Sequence, residues 1–365
     1  MPKTLVELNL DIAQLPLPTC DVETPCFVIL EEAMEHNLRQ TVLAAGGAQR
    51  LMPHVKTHRA EWIVRWMLDR GIAQFKAAAP AEVEICLRAG AKHVLWAYPT
   101  ASPLNIARVA RAACAHPNAK VQILYDSEEG YRVWSEELSA RPAANIRLVL
   151  DLDPGMGRTG ADIEGEAADL ARLAQAAGKF DGWHVYDGHV QDIDREVRVE
   201  KNRHIVGRVR SLIEPLAAEG ISSELTASGS WSFDIWPQDV ARFVSPGSFI
   251  FSSAQHHCEL SHLDWKIGAY VLTSVVSHRP GSATLDAGSK AISPDMPLTK
   301  RFSGAGDISG MKEEHSIVSN NILQIGQRIP IVPRHACTTA YLYPKALVLT
   351  RDGRWEFREQ LGCVR

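Results

Sequence analysis

No run of the sequence approaches the roughly 20 apolar residues that a helix needs to cross a bilayer, so a membrane span is not expected. There is no block of Lys and Arg either. The formal net charge is −4, which argues against nucleic acid or an anionic membrane as a partner. The opening residues, MPKTLVELNLDIAQL, carry acidic side chains and lack a continuous apolar centre, so they read as a poor secretory leader. Cysteine is sparse. Its seven residues (Cys20, Cys26, Cys86, Cys114, Cys258, Cys337, Cys363) are scattered and odd in number, which fits reduced thiols in a cytoplasmic protein better than a disulfide framework. No glycine-rich dinucleotide turn follows a first strand, which removes the main support for a doubly wound open sheet. Low-complexity segments and long linkers are also missing.

What is present is ordinary in amount and ordered in pattern. Hydrophobic residues make up 45% and charged residues 22%, as in a soluble globular chain, and 365 residues suffice for one large barrel and a smaller domain. After an irregular lead-in, Thr24-Pro25 opens a strand over Cys26–Leu30, and a helix follows until Gly46-Gly47 stops it. From Leu51 the pattern becomes strand, turn and helix, repeated. Strands are expected at 51–56, 74–78, 93–97, 121–125, 146–151, 183–188, 223–228 and 243–251, with helical spacing between them. Eight strands alternating with helices are the sequence image of an α/β fold of the (β/α)8 barrel type. Beyond about Gln255 come short strand-like runs separated by Gly, Pro, Asn and Asp, which predicts a second, mostly β domain.

In such a barrel the active site lies at the carboxyl ends of the strands. The expected strands end in Lys56, Asp151-Leu152-Asp153, Tyr186-Asp187-Gly188-His189 and Ser228-Gly229-Ser230, and these polar groups converge. Lys56 is flanked by His54 and His58, and on a strand all three would share one face. A buried lysine among imidazoles can lose its proton near neutral pH and act as a Schiff-base former. The glycine-rich loop Pro154–Gly160 can hold Arg158 over the barrel mouth, or it can be an ordinary connection. Small residues at Ser228-Gly229-Ser230 and Pro246-Gly247-Ser248 suit a phosphate, or a plain turn. On a strand, His335 and Cys337 would point the same way and offer two ligands to a borderline divalent ion at an open site. Without further support they read as a buried thiol beside a surface imidazole. His256-His257-Cys258 reads as a linker.

The segment Pro53-His54-Val55-Lys56-Thr57-His58 closely resembles the pyridoxal-phosphate lysine segment of the D-threonine aldolase and D-serine dehydratase family, relatives of the alanine racemase fold. The similarity continues through Lys76–Glu84, Gly155–Gly160 and Ser245–Ser248, and then through Asp286–Ala291, Glu313–His315 and His335–Thr339. It spans roughly residues 24 to 350. The resemblance implies a barrel over residues 24–255 and a β domain over 256–365 that carries a metal site, with residues 1–23 packing on it. It implies pyridoxal 5′-phosphate on Lys56, with Arg158 near the pyridine nitrogen, Tyr186 facing the cofactor, and Ser228, Gly229 and Ser230 on the phosphate. His335 and Cys337 would bind a divalent metal (Zn, Mn or Mg), and His58 is inferred to carry a proton. The substrate implied is a small D-β-hydroxy-amino acid, and the assembly a homodimer.

Two reactions are open on this pattern. One is retro-aldol cleavage to glycine and an aldehyde. The other is elimination from D-serine or D-threo-3-hydroxyaspartate to a keto acid and ammonia. In the family, aspartate as the second metal ligand goes with aldolases and cysteine with dehydratases, so Cys337 leans toward elimination. The stretch Tyr186–Gln191 looks more like the aldolase branch, and the aldolase is the leading expectation. An amino-acid racemase and a non-catalytic cofactor-binding protein are the further alternatives.

Overall fold

The computed structural model describes residues 1–140 and 142–365. The chain divides into two compact units. One comprises residues 1–41, 57–60 and 248–364, the other residues 42–56, 61–247 and Arg365. Among the described residues no helix is long and apolar enough to cross a membrane.

The second unit is built on seven parallel strands, in the order Gln74–Ala77, His93–Trp96, Lys120–Tyr125, Ile146–Asp153, Phe180–Val185, Leu225–Ala227 and Phe243–Val244. Runs such as Leu148-Val149-Leu150 are buried on both faces, as parallel strands covered by helices must be. The helices between them are amphipathic. Pro103–Ala115 buries Ile106, Val109, Ala110 and Ala113, which share one helical face. Pro80–Ala89 starts with proline in its first turn and ends at Gly90 in a left-handed conformation, the usual start and stop of a helix.

The two edges of this sheet are joined by residues 51–54. Leu51 bridges Val244, and His54 bridges Lys76, both in parallel sense. The Met52 N–H donates to the Val244 carbonyl at 2.9 Å, and the Lys76 N–H donates to the Pro53 carbonyl at 2.9 Å. This segment takes the place expected for the first barrel strand, but it is shorter than expected. Pro53 has no N–H for a ladder, and the backbone turns into a 3₁₀ helix over Val55–Thr57. Lys56 is therefore not on a strand, and His54, Lys56 and His58 do not line one strand face. Likewise the strand expected to run to Phe251 ends at Val244, just before Pro246, and a 3₁₀ turn follows at Ser248–Ile250.

The first unit contains a nine-stranded mixed sheet. The strand Cys26–Leu30 lies inside it, antiparallel to Ala269–Arg279 and parallel to Lys345–Leu349. Its five residues are all buried, because an apolar run with no polar alternation fits only a central strand. The unit boundaries accordingly fall after residues 41 and 247, where the sequence had suggested 24 and 255. The N-terminal helix Leu5–Ala13 starts in a capping box between Thr4 and Glu7. It buries Leu8 and Ile12 against Val28, Tyr270 and Val332 of the same unit. His256-His257-Cys258, expected as a linker, lies in the helix Ala254–Glu259, where both imidazoles are buried.

Candidate active site

Five strands of the parallel sheet, counting residues 51–54 and leaving out Lys120–Tyr125, send side chains into one cavity at or beyond their carboxyl ends. It is lined by His54, Lys56, Lys76, Ala97, Tyr98, Arg158, His184 and Tyr186. Three cations surround the ring of Tyr186. Lys56 Nζ lies 5.9 Å from its centroid, Lys76 Nζ 5.6 Å and Arg158 Cζ 4.8 Å. Lys56, Arg158 and Tyr186, expected from the sequence to converge, are brought together here.

Each part is held by specific contacts. Arg158 sits in a loop whose backbone wraps a carboxylate, since the N–H groups of Gly155, Met156 and Gly157 all donate to Asp153 Oδ1. The Thr159 hydroxyl donates to Asp151 Oδ2 at 2.9 Å, and the Gly160 N–H donates to Asp126 at 3.2 Å. A side chain at position 160 would meet the Asp153 nitrogen at 2.4 Å, so only glycine allows this close return to the strand. The ring of Tyr186 rests over two glycines. A Cβ at Gly188 would come within 2.3 Å of it and one at Gly229 within 2.9 Å. The next residue, Asp187, is buried and accepts from the Ser232 hydroxyl at 2.7 Å and the Trp236 indole N–H at 2.9 Å. It thereby pins the connection that carries Ser228, Gly229 and Ser230.

Those three residues form the turn after Leu225–Ala227. The Ser228 N–H donates to the Val185 carbonyl, and its hydroxyl accepts from the Ser245 N–H at 3.2 Å. The Ser230 hydroxyl accepts from the Gly247 N–H at 3.1 Å. The two serine-rich turns are thus tied together. Ser228 holds a φ of +75°, a left-handed conformation that costs a non-glycine residue on the order of 1 kcal/mol or more.

The electrostatics of the cavity are unusual for a buried site. Burial, then the charges of Lys56 and Lys76, keep His54 well below its ordinary value. Burial and Lys76 push His184 down to about 4, against the pull of Asp151, whose Oδ1 lies 2.6 Å from His184 Nδ1. Its other nitrogen, Nε2, is buried without a hydrogen-bond partner. A pocket of cations around an aromatic face, with one unsatisfied imidazole nitrogen, is chemically matched to an anionic, ring-shaped, hydrogen-bonding group. Pyridoxal 5′-phosphate is such a group, and these residues fit it.

The sequence singled out neither His184 nor Lys76 as a site residue. One signal was available for His184. It is two residues before Tyr186 on a strand and so shares its face. For Lys76 the signal was a charge inside the short strand Gln74–Ala77, which is buried throughout. His58 is placed otherwise than expected. It is buried, and its Nδ1 accepts from the Ala60 N–H at 3.1 Å. Burial pushes it down to about 3, and Nε2 is without a hydrogen-bond partner.

A second cluster lies in the mixed-sheet unit. His335 and Cys337 are not on a strand. His335 caps the short helix Ala336–Ala340 that follows the strand Arg328–Pro333, because two prolines in that strand favour its early end. The pair nevertheless interacts. The imidazole is hydrogen-bonded to Cys337 on one side and, through Nδ1, to Asp295 Oδ2 at 2.6 Å on the other. Burial opposes its charge, but these two contacts outweigh it and raise His335 to about 10. The Thr338 hydroxyl also donates to Asp295 at 2.9 Å, and Cys337 Sγ lies 3.2 Å from the Thr57 hydroxyl. Among the described residues no three His, Cys, Asp or Glu side chains are grouped to hold a metal ion. The donor set is imidazole and sulfur, with a carboxylate behind the imidazole. Such a carboxylate fixes the tautomer of a ligating histidine. This fits an open two-ligand site for a borderline divalent ion.

The depressed histidines give a pH prediction for stability. His58, His93 and His184 fall to about 3, 4 and 4 in the folded chain, against about 6.5 unfolded. Below pH 6.5 the unfolded chain binds protons that the folded chain refuses. Stability is therefore fully present above that pH and is lost as pH falls toward 4. Each histidine contributes up to about 1.4 kcal/mol per pH unit in that window. The urea midpoint is expected to drop clearly between pH 7.5 and 5.0, and His93→Gln should flatten the drop. Equal midpoints at the two pH values would contradict the neutral burial of these rings.

Comparison with known proteins identifies the family and the fold. The family model for the alanine racemase N-terminal domain matches residues 29–255, and the model for a putative serine dehydratase domain matches residues 268–349. A 3-hydroxy-D-aspartate aldolase of Paracoccus denitrificans is 27% identical, with the match covering 92% of this chain and 91% of the relative. The crystal structure of D-threonine aldolase from Filomicrobium marinum superposes with a TM-score of 0.85 at 25% identity, over 97% of this chain and 99% of that one. D-threo-3-hydroxyaspartate dehydratase from Delftia shares the fold with a TM-score of 0.81 at 19% identity, over 93% of this chain and 98% of that one. A cysteine-to-alanine variant of a D-threo-3-hydroxyaspartate dehydratase is known in a metal-free form.

Proposed function

Since the chain belongs to the family of the alanine racemase N-terminal domain, we propose that it is a lyase of D-β-hydroxy-amino acids that uses pyridoxal 5′-phosphate and a divalent metal, and that it cleaves its substrate to glycine and an aldehyde. The observation that carries this reading is the pair of sites that the residues build. Lys56 stands in a cation-rich pocket over Tyr186, and His335 stands between Cys337 and Asp295. A racemase has no use for the second cluster.

Lys56 holds the cofactor through its amine. Ser228, Gly229 and Ser230 would hold the phosphate, Tyr186 would offer its ring face, and Arg158, fixed by the Asp153 loop, would serve the pyridine ring. The bound cofactor supplies the electron sink for the bond pair released at the α-carbon. His335 and Cys337 would hold the metal, and a bound divalent ion would supply Lewis-acid chemistry there. Asp295 orients the His335 ring through Nδ1, which directs the other nitrogen to the ion. His58 accepts at Nδ1 from the Ala60 N–H, so its neutral ring carries the hydrogen at Nε2, the proton that a carrier in this position would hold.

Elimination to a keto acid and ammonia is the second reading, and Cys337 favours it. A product assay separates the two. Purified protein with pyridoxal 5′-phosphate and Zn, Mn or Mg is offered D-threonine, D-phenylserine, D-serine and D-threo-3-hydroxyaspartate. Glycine with aldehyde is the expected result. Keto acid with ammonia would replace the aldolase by the dehydratase, and equal rates on L-isomers would sink both.

A further inference from the structure

The two side chains read as metal ligands do not meet by local geometry. His335 is extended and caps the short helix Ala336–Ala340, and Cys337 lies in the first turn of that helix. Side chains two residues apart do not face each other once a helix has begun. Their convergence therefore depends on contacts from elsewhere in the mixed-sheet unit, and each of the two has one. Asp295 Oδ2 lies 2.6 Å from His335 Nδ1. The Thr57 hydroxyl lies 3.2 Å from Cys337 Sγ, across 280 positions of sequence. The first contact is the carboxylate behind a ligating imidazole. The second has no part yet in the proposed chemistry.

Thr57 ends the 3₁₀ turn Val55–Thr57 and belongs, with residues 57–60, to the mixed-sheet unit. It is 1% exposed, so water does not compete for its hydroxyl, and the sulfur is the hydrogen-bond partner that the fold supplies. Cys337 is only half-buried, so its thiol is not sealed into the core. Between a thiol and a hydroxyl either group can donate. A thiolate on a metal carries no hydrogen, so there the hydroxyl must be the donor. An O–H directed at a charged sulfur is a charge-assisted bond, stronger than the same contact to a neutral thiol. It fixes the direction of the Cβ–Sγ bond. It also draws charge from the sulfur that would otherwise pass to the ion, which is how hydrogen bonds to a ligating sulfur tune a metal. Threonine suits this part, because its β-branch makes χ1 stiff and holds the hydroxyl in place.

We propose that Thr57 is a positioning residue for the metal centre: its hydroxyl donates to Cys337 Sγ, aims the thiolate at the ion shared with His335, and keeps that ion a stronger Lewis acid. This deepens the reading of His335 and Cys337 as metal ligands and rests on it. Thr57 acts through the sulfur and gives up no atom.

The test is a cobalt(II) titration of the cofactor-loaded protein, read as a difference spectrum against the zinc-loaded form, since zinc adds no band of its own. Thr57→Val keeps the shape and loses the hydroxyl, whereas Thr57→Ser keeps the hydroxyl. In Thr57→Val the thiolate-to-cobalt band should move to longer wavelength, because electrons on a sulfur without its hydrogen bond are easier to transfer. Cobalt binding should weaken about 10- to 100-fold. Thr57→Ser should keep the native band position. Loss of packing alone would weaken both variants and leave the band in place, so the band position decides. An unmoved band in Thr57→Val, or an equal move in the two variants, overturns the proposal. Should Thr57→Val fail to fold by circular dichroism, Thr57→Ala, which also lacks the hydroxyl, is read in the same way. A native protein with no sulfur band, or a band that survives Cys337→Ala, overturns the ligand assignment and the proposal with it. That outcome is distinct from a Cys337-dependent band that Thr57→Val leaves unmoved.

Discussion

Lys56→Ala is expected to abolish the visible absorbance of the lysine-bound cofactor and to lower turnover on the order of 10⁴-fold or more, as loss of a reacting nucleophile does. The size of the effect follows from the site. The amine of Lys56 is directed over Tyr186 from a 3₁₀ turn that Pro53 forces, and Arg158 is fixed on the same ring by three backbone N–H bonds to Asp153. Removing the amine leaves the shape of the pocket but not its covalent handle. Stability should change little, because the side chain is only half-buried. An unchanged spectrum would mean that another lysine holds the cofactor, and Lys76 is the neighbour to suspect.

Removal of the metal site is the second large effect. Full chelation, or the double replacement of His335 and Cys337 by alanine, should cost lyase activity by about 10²-fold or more, since Lewis-acid stabilisation of a leaving or breaking oxygen contributes several kcal/mol. Readdition of Zn, Mn or Mg should restore the chelated native protein and leave the double variant inactive. Asp295→Ala should act more gently, weakening metal affinity about 10- to 100-fold with the ligands themselves intact. The physical reason is the 2.6 Å contact to His335 Nδ1, which presets the ring. Metal titration followed by calorimetry reads this directly. Full activity of the double variant in chelator would remove the metal from the mechanism.

The fold and the candidate site were legible in the sequence to different degrees. The alternation of apolar strands and amphipathic helices from Gln74 to Val244 predicts a parallel sheet, and a parallel sheet is what forms. Two strand ends expected to face a common mouth, Asp153 leading to Arg158 and Val185 leading to Tyr186, do meet. The strand Cys26–Leu30 was less legible. An apolar pentapeptide fits the centre of any sheet, and its partners lie more than two hundred residues away in the chain. The geometry at Lys56 departs from strand alternation because Pro53 has no N–H for a ladder and the backbone turns into a 3₁₀ helix at Val55–Thr57.

By itself, then, the sequence determined what local chemistry can dictate: which segments are buried strands, where prolines and glycines end them, and which reactive types sit at their ends. It also carried the order of motifs that marks the family. The tertiary structure decided which of those ends adjoin. His184 was joined to Asp151, Lys76 to Lys56, and Asp295 to His335 through pairings of segments up to 40 residues apart. Spacing along a strand fixes the face a side chain takes, but the neighbour it meets is chosen by the packing of whole elements. For that reason the cation pocket and the carboxylate behind His335 became visible only in the folded chain.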